Sequence, residues 1–427
     1  MSKARQRLFS GILLIGSVAV SLLIAELVLQ RFSVARYYVL PPGLKQEFHP
    51  VPETMPGVSG PSVYSVNAVG TRGSDWSDGR QFRILAVGGS TTECLYLDDS
   101  EAWPWLLEKR INESLGAEKV WVGNVGRSGH NTRNHILQVE KMLEQYSEID
   151  LLILMVGIND LALRLLQDSD YVPLSEETNK YRQKLFYRSF ALVPPMESAL
   201  PFFQRLALWQ QIRRIKKVII KPGIEANLQD ETGEIYTQWR SFRQSATVLR
   251  AELPDLSSSL LEYAQNVNTI IETARGHGVE VMLLTQPALY KENLEAELAN
   301  LLWFGGVGNF QFTAGSEYYS IGAMARAMQA YNQVLLDACE QSGVSCVDLA
   351  SRLPKDTTVF YDDVHLNESG AEKVAAMVAE SILVSGLVDR AFETGSDMVV
   401  TGSDRSVTGS DRSNELNLQE FAPKAAD

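Results

Sequence analysis

The run Arg83-Ile84-Leu85-Ala86-Val87-Gly88-Gly89-Ser90-Thr91-Thr92 decides the fold class. Its first five residues form a short, mostly apolar stretch bounded by a glycine turn, the pattern of a buried strand. A strand apolar at consecutive positions has both faces covered, as in parallel sheets. Four comparable runs follow: Val120–Val125, Leu151–Val156, Val279–Leu284 and Val344–Leu349. Helical patterns lie between or after them. One has Pro104 in its first turn, after Ser100-Glu101, and others span Ile321–Cys339 and Glu368–Leu383. Alternating strands and helices predict an α/β domain, with a parallel sheet of about five strands between two helical layers. Ligands of such sheets bind beyond the carboxyl ends of the strands, so the residues that follow each strand carry the functional information.

Ser90 follows the first strand, in Gly88-Gly89-Ser90-Thr91-Thr92. On its own this segment suits a phosphate cradle or a plain turn, but the lysine of a P-loop is absent. Asn124-Val125-Gly126-Arg127-Ser128-Gly129-His130 follows the second strand, and Gly157-Ile158-Asn159-Asp160 the third. Tyr361-Asp362-Asp363-Val364-His365-Leu366-Asn367 follows the fifth. A serine hydroxyl is a poor nucleophile without a base in hydrogen-bond reach. Imidazole titrates near neutral pH and can take and return that proton. A carboxylate fixes the imidazole tautomer and stabilises the imidazolium. Asp362 and His365, three apart in one turn, can supply both. A tetrahedral oxyanion needs donors, and the N–H groups of Ser90 and Gly129 with the Asn159 amide can provide them.

This set resembles the SGNH branch of the GDSL-type esterases and lipases. Ser90 matches the nucleophile block, Gly129 the glycine block, Asn159 the GxND block, and Asp362 with His365 the DxxH block. The blocks occur in the family's order, each after a predicted strand. Asn67-Ala68-Val69-Gly70-Thr71-Arg72-Gly73 also looks like a lead-in of membrane-anchored members. The resemblance covers roughly 67–160 and 279–384. It implies a flavodoxin-like sheet, an SGNH hydrolase fold and serine-dependent ester hydrolysis. One departure is Gly89, which stands where the GDS signature has aspartate.

The rest of the chain frames this domain. Leu8–Leu29 is almost wholly apolar, interrupted by Ser10, Ser17, Ser21 and Glu26, and is long enough to span a bilayer. Lys3, Arg5 and Arg7 precede it, so the positive-inside rule predicts a cytoplasmic N-terminus and an extracytoplasmic body. Glu26 lies near the outer end, where a carboxylate can reach the interface. A cleaved signal peptide is the rival, with Ser33-Val34-Ala35 as a loose cleavage site, but the apolar core is longer than such segments usually have. The expected organisation is a stub and anchor over 1–32, a lead-in over 33–80, a hydrolase domain over 81–385 and a tail over 386–427. Insertions open the domain at about 161–260 and 288–320. The tail repeats Thr-Gly-Ser-Asp from Thr394, Thr401 and Thr408, and such composition predicts disorder.

The first insertion is too long for a simple crossover and is expected to form a helical cap. Within it, residues 198–221 hold six basic residues and no acidic one. Phe202, Leu206, Trp209, Ile212, Ile215 and Ile219 recur there at helical spacing, so the stretch is either a cap helix with a solvated basic face or a helix resting on anionic lipid. The second insertion carries Trp303, Phe304, Tyr318 and Tyr319, which can stack on a sugar or acyl chain or pack under the loop. Asp160 reads as a helix N-cap and Asp363 as a solvated neighbour of Asp362. His130 either faces substrate or has no role. His49, His135 and His277 read as surface or packing residues, and Cys94 as a buried structural thiol. Cys339 and Cys346 can form a disulfide if the body is exported.

The chain has 39 basic and 52 acidic residues, a net charge of −13, which argues against a nucleic-acid binder. No metal or organic cofactor is expected. The leading expectation is a membrane-anchored serine esterase acting on O-acyl, including acetyl, esters of an envelope glycan or lipid. The alternatives are an acyltransferase on the same triad and a non-catalytic envelope-assembly or binding protein.

Overall fold

In the computed structural model, residues 3–31, 36–77, 79–194, 206–209, 212, 233–308 and 313–392 are described. Helix α1 spans Lys3–Arg31, and strands β1 (Lys45–Phe48) and β2 (Ser62–Ser65) pair antiparallel ahead of the main sheet. That sheet contains β3 (Phe82–Gly88), β4 (Val120–Asn124), β5 (Leu151–Met155), β7 (Glu280–Leu284) and β9 (Ser345–Val347). All neighbouring pairs are parallel, in the spatial order β4-β3-β5-β7-β9. Counted within this sheet the order is 2-1-3-4-5, the flavodoxin-like arrangement. Every residue of β4 and β5 is buried, which explains the unbroken apolar runs. The last strand stops before Leu349. Asp348 instead caps the short helix α11 (Leu349–Arg352), accepting from the Ser351 N–H.

Helices cover both faces. Helix α3 (Trp103–Leu115) packs with α12 (Glu368–Ser385) on one side. On the other, α8 (Ser257–Gly276) packs with α4 (Thr132–Gln145) and α10 (Ile321–Ser342). Pro104 occupies the first turn of α3, where its missing N–H costs nothing. A disulfide joins Cys339 near the end of α10 to Cys346 in β9.

The first insertion runs between α5 (Ile158–Gln167) and α8. Its described part includes α6 (Asn179–Ser189), α7 (Ile235–Gln244) and β6 (Leu249–Arg250), which pairs with β8 (Tyr318–Tyr319) of the second insertion. The short helix α9 (Ala296–Ala299) also belongs to the second insertion. Most of the basic stretch 198–221 lies outside the described residues, as does the Thr-Gly-Ser-Asp repeat. The structured body extends past the expected boundary at 385: residues 387–392 are helical, with Leu387 and Val388 buried.

Phe9–Leu29 of α1 is one helix long and apolar enough to cross a membrane. Glu26 differs from expectation. It is buried, and its carboxylate accepts the N–H groups of Ala207 (2.7 Å) and Leu208 (2.9 Å). A carboxylate on an apolar span is expensive unless paired, and here backbone donors pair it.

Candidate active site

Strand order determines where the site forms. The chain passes from β3 to β4 on one side and then returns from β4 to β5 on the other side of β3, and a crevice opens where the direction reverses. Ser90 begins α2 (Ser90–Glu93) directly after β3, and Asn159 is the second residue of α5, after β5. The turn 361–367 comes over the same sheet end just before α12. Its His365 Nε2 lies 2.7 Å from Ser90 Oγ, and its Nδ1 lies 2.6 Å from Asp362 Oδ2. Residues 275 apart in the chain thus form one line of hydrogen bonds. With the imidazole neutral and its proton on Nδ1, Nε2 is the acceptor for the serine hydroxyl.

The carboxylate is fully engaged. Asp362 Oδ1 accepts the N–H groups of Val364 (3.0 Å) and His365 (2.8 Å). Its Oδ2 accepts from His365 Nδ1 and from the indole Nε1 of Trp303 (2.9 Å). Burial alone would raise its pKa, but the His365 charge and these bonds outweigh burial and hold the carboxyl below its ordinary range. Burial likewise opposes a charge on His365, but the adjacent carboxylate overcomes it and raises the imidazole above its ordinary 6.5. Tyr361 stacks on the imidazole at 5.5 Å between ring centres, and Tyr236 meets its edge at 6.0 Å.

Asp363 departs from expectation: it is buried, not solvated. It accepts from Tyr290 Oη (2.7 Å) and from the N–H groups of Trp303 (2.8 Å) and Phe304. It thereby holds the second insertion against the turn. Burial, and then the charge of Asp362, push its pKa up to about 6.

The candidate oxyanion donors come from the other strand ends. Gly129 has φ +75°, a left-handed conformation that a side chain would strain. Among the described residues, neither its N–H nor that of Ser90 is donated to a protein acceptor. Asn159 Nδ2 uses one hydrogen on the His130 carbonyl (2.8 Å), leaving the second toward the cavity. The glycine in place of the signature aspartate has a local cause. A Cβ on Gly89 would fall 2.4 Å from Asn159 Nδ2, so a side chain there would displace this amide.

Asp160 is the next departure. Gly157, not Asp160, precedes α5 as its cap. Asp160 sits inside α5, buried, and its Oδ1 accepts the Thr132 N–H (3.1 Å) and the Thr132 hydroxyl at the start of α4. It therefore caps a neighbouring helix and ties the loop carrying Gly129 to α5. Burial raises its pKa to about 7.

Three further groups brace the site without a readable signal in the sequence. Buried Glu93 accepts the Ser128 N–H (2.6 Å) beside Gly129. Buried Arg72, in the lead-in segment, donates to the carbonyls of Glu93 and Cys94 (both 2.6 Å) and pairs with Asp99 (2.7 Å). Arg240 of α7 donates to the carbonyls of Thr54, Leu301 and Tyr361, clamping the insertion onto the turn.

The remaining candidates are structural. His130 is buried, with Nδ1 2.7 Å from Gln138 Nε2, and burial holds its pKa well below 6.5. His135 is buried on the same glutamine. Burial raises the Cys94 thiol to about 11, an unreactive state. Tyr318 and Tyr319 are buried packing residues, whereas Trp303 and Phe304 line the cavity. That cavity, of about 280 Å³, opens above Ser90 and His365 and is walled by α5 and the two insertions. Among the described residues, no group of three or more His, Cys, Asp or Glu is placed to hold a metal ion.

Comparison with known proteins adds a lineage. A sequence profile described as the GDSL-like lipase/acylhydrolase family matches residues 86–373. No curated protein matches the chain. Similar solved structures include LAE5, an alpha/beta hydrolase enzyme from the metagenome of Lake Arreo, Spain. It is 13% identical, with 71% of this chain and 95% of that one covered and a TM-score of 0.37. A catalytic mutant of Axe2, an acetylxylan esterase from Geobacillus stearothermophilus, is 12% identical, with 72% and 96% covered and a TM-score of 0.38. A carbohydrate acetylesterase family member from Sinorhizobium meliloti is 12% identical, with 72% and 99% covered and a TM-score of 0.36.

Proposed function

This chain belongs to the GDSL-like lipase/acylhydrolase family, and from that premise we propose that it is a membrane-anchored esterase working through Ser90, His365 and Asp362. As a member it is a serine ester hydrolase. The observation that carries the residue assignment is the unbroken hydrogen-bonded line from Ser90 Oγ through His365 to Asp362 at the base of an open cavity.

Ser90 Oγ attacks the ester carbonyl carbon as His365 Nε2 takes its proton. Asp362 keeps the imidazole oriented and stabilises its positive charge. The carbonyl oxygen, now negative, accepts from the Ser90 and Gly129 N–H groups and from Asn159 Nδ2. His365 then protonates the leaving alcohol, and an acyl-serine remains. Water deprotonated by His365 attacks that acyl group, the bond to Ser90 Oγ breaks as His365 returns the proton to Oγ, and the acid is released. Each step uses groups of this chain alone.

The substrate is an O-acyl ester of an envelope glycan or lipid. The apolar N-terminal helix, the basic residues Lys3, Arg5 and Arg7 before it, and the Cys339–Cys346 disulfide together support a cytoplasmic N-terminus and an extracytoplasmic body. The decisive test is Ser90→Ala in the full-length protein. Hydrolysis of p-nitrophenyl acetate and labelling by a fluorophosphonate probe should both disappear while the thermal melt is retained. Undiminished hydrolysis would overturn the assignment.

A further inference from the structure

We infer that the site carries an elongated acyl-chain subsite along α5, and that its substrates are esters of medium-length fatty acids, not acetyl esters. This rests on the proposed role of Ser90 and deepens it. The face of α5 that begins with Asn159 continues as Ala162, Leu163 and Leu166, the i, i+3, i+4, i+7 spacing of one helix stripe. All four line the cavity. At a rise of about 1.5 Å per residue, the stripe runs roughly 10 Å from Asn159 to Leu166. Trp239 and Phe304, from the two insertions, also line the cavity.

The polar groups are unevenly placed. Of the cavity-lining hydroxyls and amides, Ser90, Ser128, Asn131 and Asn159 belong to the strand-end segments around the nucleophile, and Tyr236 comes from the first insertion. Beyond Asn159, α5 contributes only aliphatic side chains to the lining. Among the described residues, no Asp, Glu, Lys or Arg lines the cavity. A sugar requires hydrogen-bond partners along its length, whereas this half offers it almost none. The direction follows from the chemistry. The leaving oxygen must face His365 Nε2, which protonates it, and the carbonyl oxygen must face Asn159 and Gly129. The remaining substituent, the acyl chain, then points away from His365 and along α5. An acetyl group would leave most of the 280 Å³ unfilled, whereas a chain of roughly six to ten carbons matches a trough about 10 Å long.

The test measures kcat/KM of the full-length protein in mild detergent on two series. One is p-nitrophenyl esters from acetyl to dodecanoyl; the other is acetate esters of alcohols of graded length. Transfer of each methylene from water should raise kcat/KM about three- to fourfold over the first few carbons of the acyl series, with a plateau near octanoyl. Ala162→Phe shortens the trough, and Leu166→Ser makes its far end polar. Each should lower the octanoyl-to-acetyl ratio at least tenfold. Because the ratio is read within one preparation, partial misfolding of a variant cancels. Acetyl preference in the wild type, with Ser90→Ala inactive, would overturn the subsite and leave the serine mechanism standing. Length dependence confined to the alcohol series would overturn it equally. Absence of hydrolysis together with failure of a fluorophosphonate to label Ser90 would instead remove the reading on which the subsite rests.

Discussion

Asp362 and Asp363 are adjacent in the chain and fully buried, yet the regions on the two sides of their turn shift their pKa values in opposite directions. On the cavity side Asp362 has four donors, one of them the imidazole of His365, so ionisation is favoured. On the insertion side Asp363 has Tyr290 and two backbone N–H groups, but no imidazole in contact. It also faces the charge of its neighbour, and burial and that charge together raise its pKa to about 6. Two adjacent buried carboxylates cannot both ionise cheaply. The turn answers this by giving the countercharge to the residue proposed to act in chemistry and leaving the other to hold structure. Asp362 has one more donor than Asp363, but charge weighs more: the imidazole in contact with Asp362 outweighs its burial, whereas the charge of Arg243 does not outweigh the burial of Asp363.

The contrast can be broken most severely at Asp362. Asp362→Asn should lower kcat by about 10³–10⁴-fold by presenting the wrong imidazole tautomer, as in other triads. It should also move the pH profile. The proposed base must be neutral to accept a proton, and Asp362 raises the pKa of His365. In the wild type, kcat/KM should therefore fall as pH drops through a value above 6.5, and in Asp362→Asn this acid limb should shift to lower pH. Stopped or continuous ester assays across pH 5–9 check both. An unshifted limb would show that the carboxylate does not control the imidazole.

A smaller effect is expected from Trp303→Phe, which keeps an aromatic ring but removes the indole donor to Asp362. The lost hydrogen bond to a charged group is worth about 1.5–3 kcal/mol. Activity should fall about tenfold, mainly in kcat, as steady-state kinetics would reveal.

Asp363→Asn should act least on turnover and chiefly on stability. Asp363 has a folded pKa near 6, above its ordinary 3.8. Its contribution is therefore fully present below pH about 4 and is lost as pH rises toward 6, because the unfolded chain ionises first. The asparagine variant lacks this loss. Its stability relative to the wild type should improve on going from pH 4 to pH 7, by on the order of 1–3 kcal/mol. Thermal melts of both proteins at the two pH values would register it, and a difference independent of pH would place the countercharge elsewhere.

Much of this arrangement was legible in the sequence. The five strands are short apolar runs that stop at turns, and adjacent residues suffice to define both. Ser90, Gly129, Asn159, Asp362 and His365 could be named because each stands in a local block after a strand or in one turn. The strand order, and with it the crevice, followed only from the family resemblance. The state of Asp363, the true role of Asp160 and the burial of Glu26 were misread. Each depends on partners outside its own segment: Tyr290 and Trp303 for the first, Thr132 for the second, Ala207 and Leu208 for the third.

What the sequence determined by itself was thus the class of fold and the residues able to do the chemistry, since strand patterning and motif blocks are short-range properties. What only the tertiary structure decided was the environment of those residues. It placed the Trp303 indole on Asp362, the apolar stripe of α5 beside Ser90, and the amide of Asn159 so close to Gly89 that a side chain there would displace it. The physical reason is that burial, charge pairing and close packing are set by distances through space, across as many as 275 residues between Ser90 and His365.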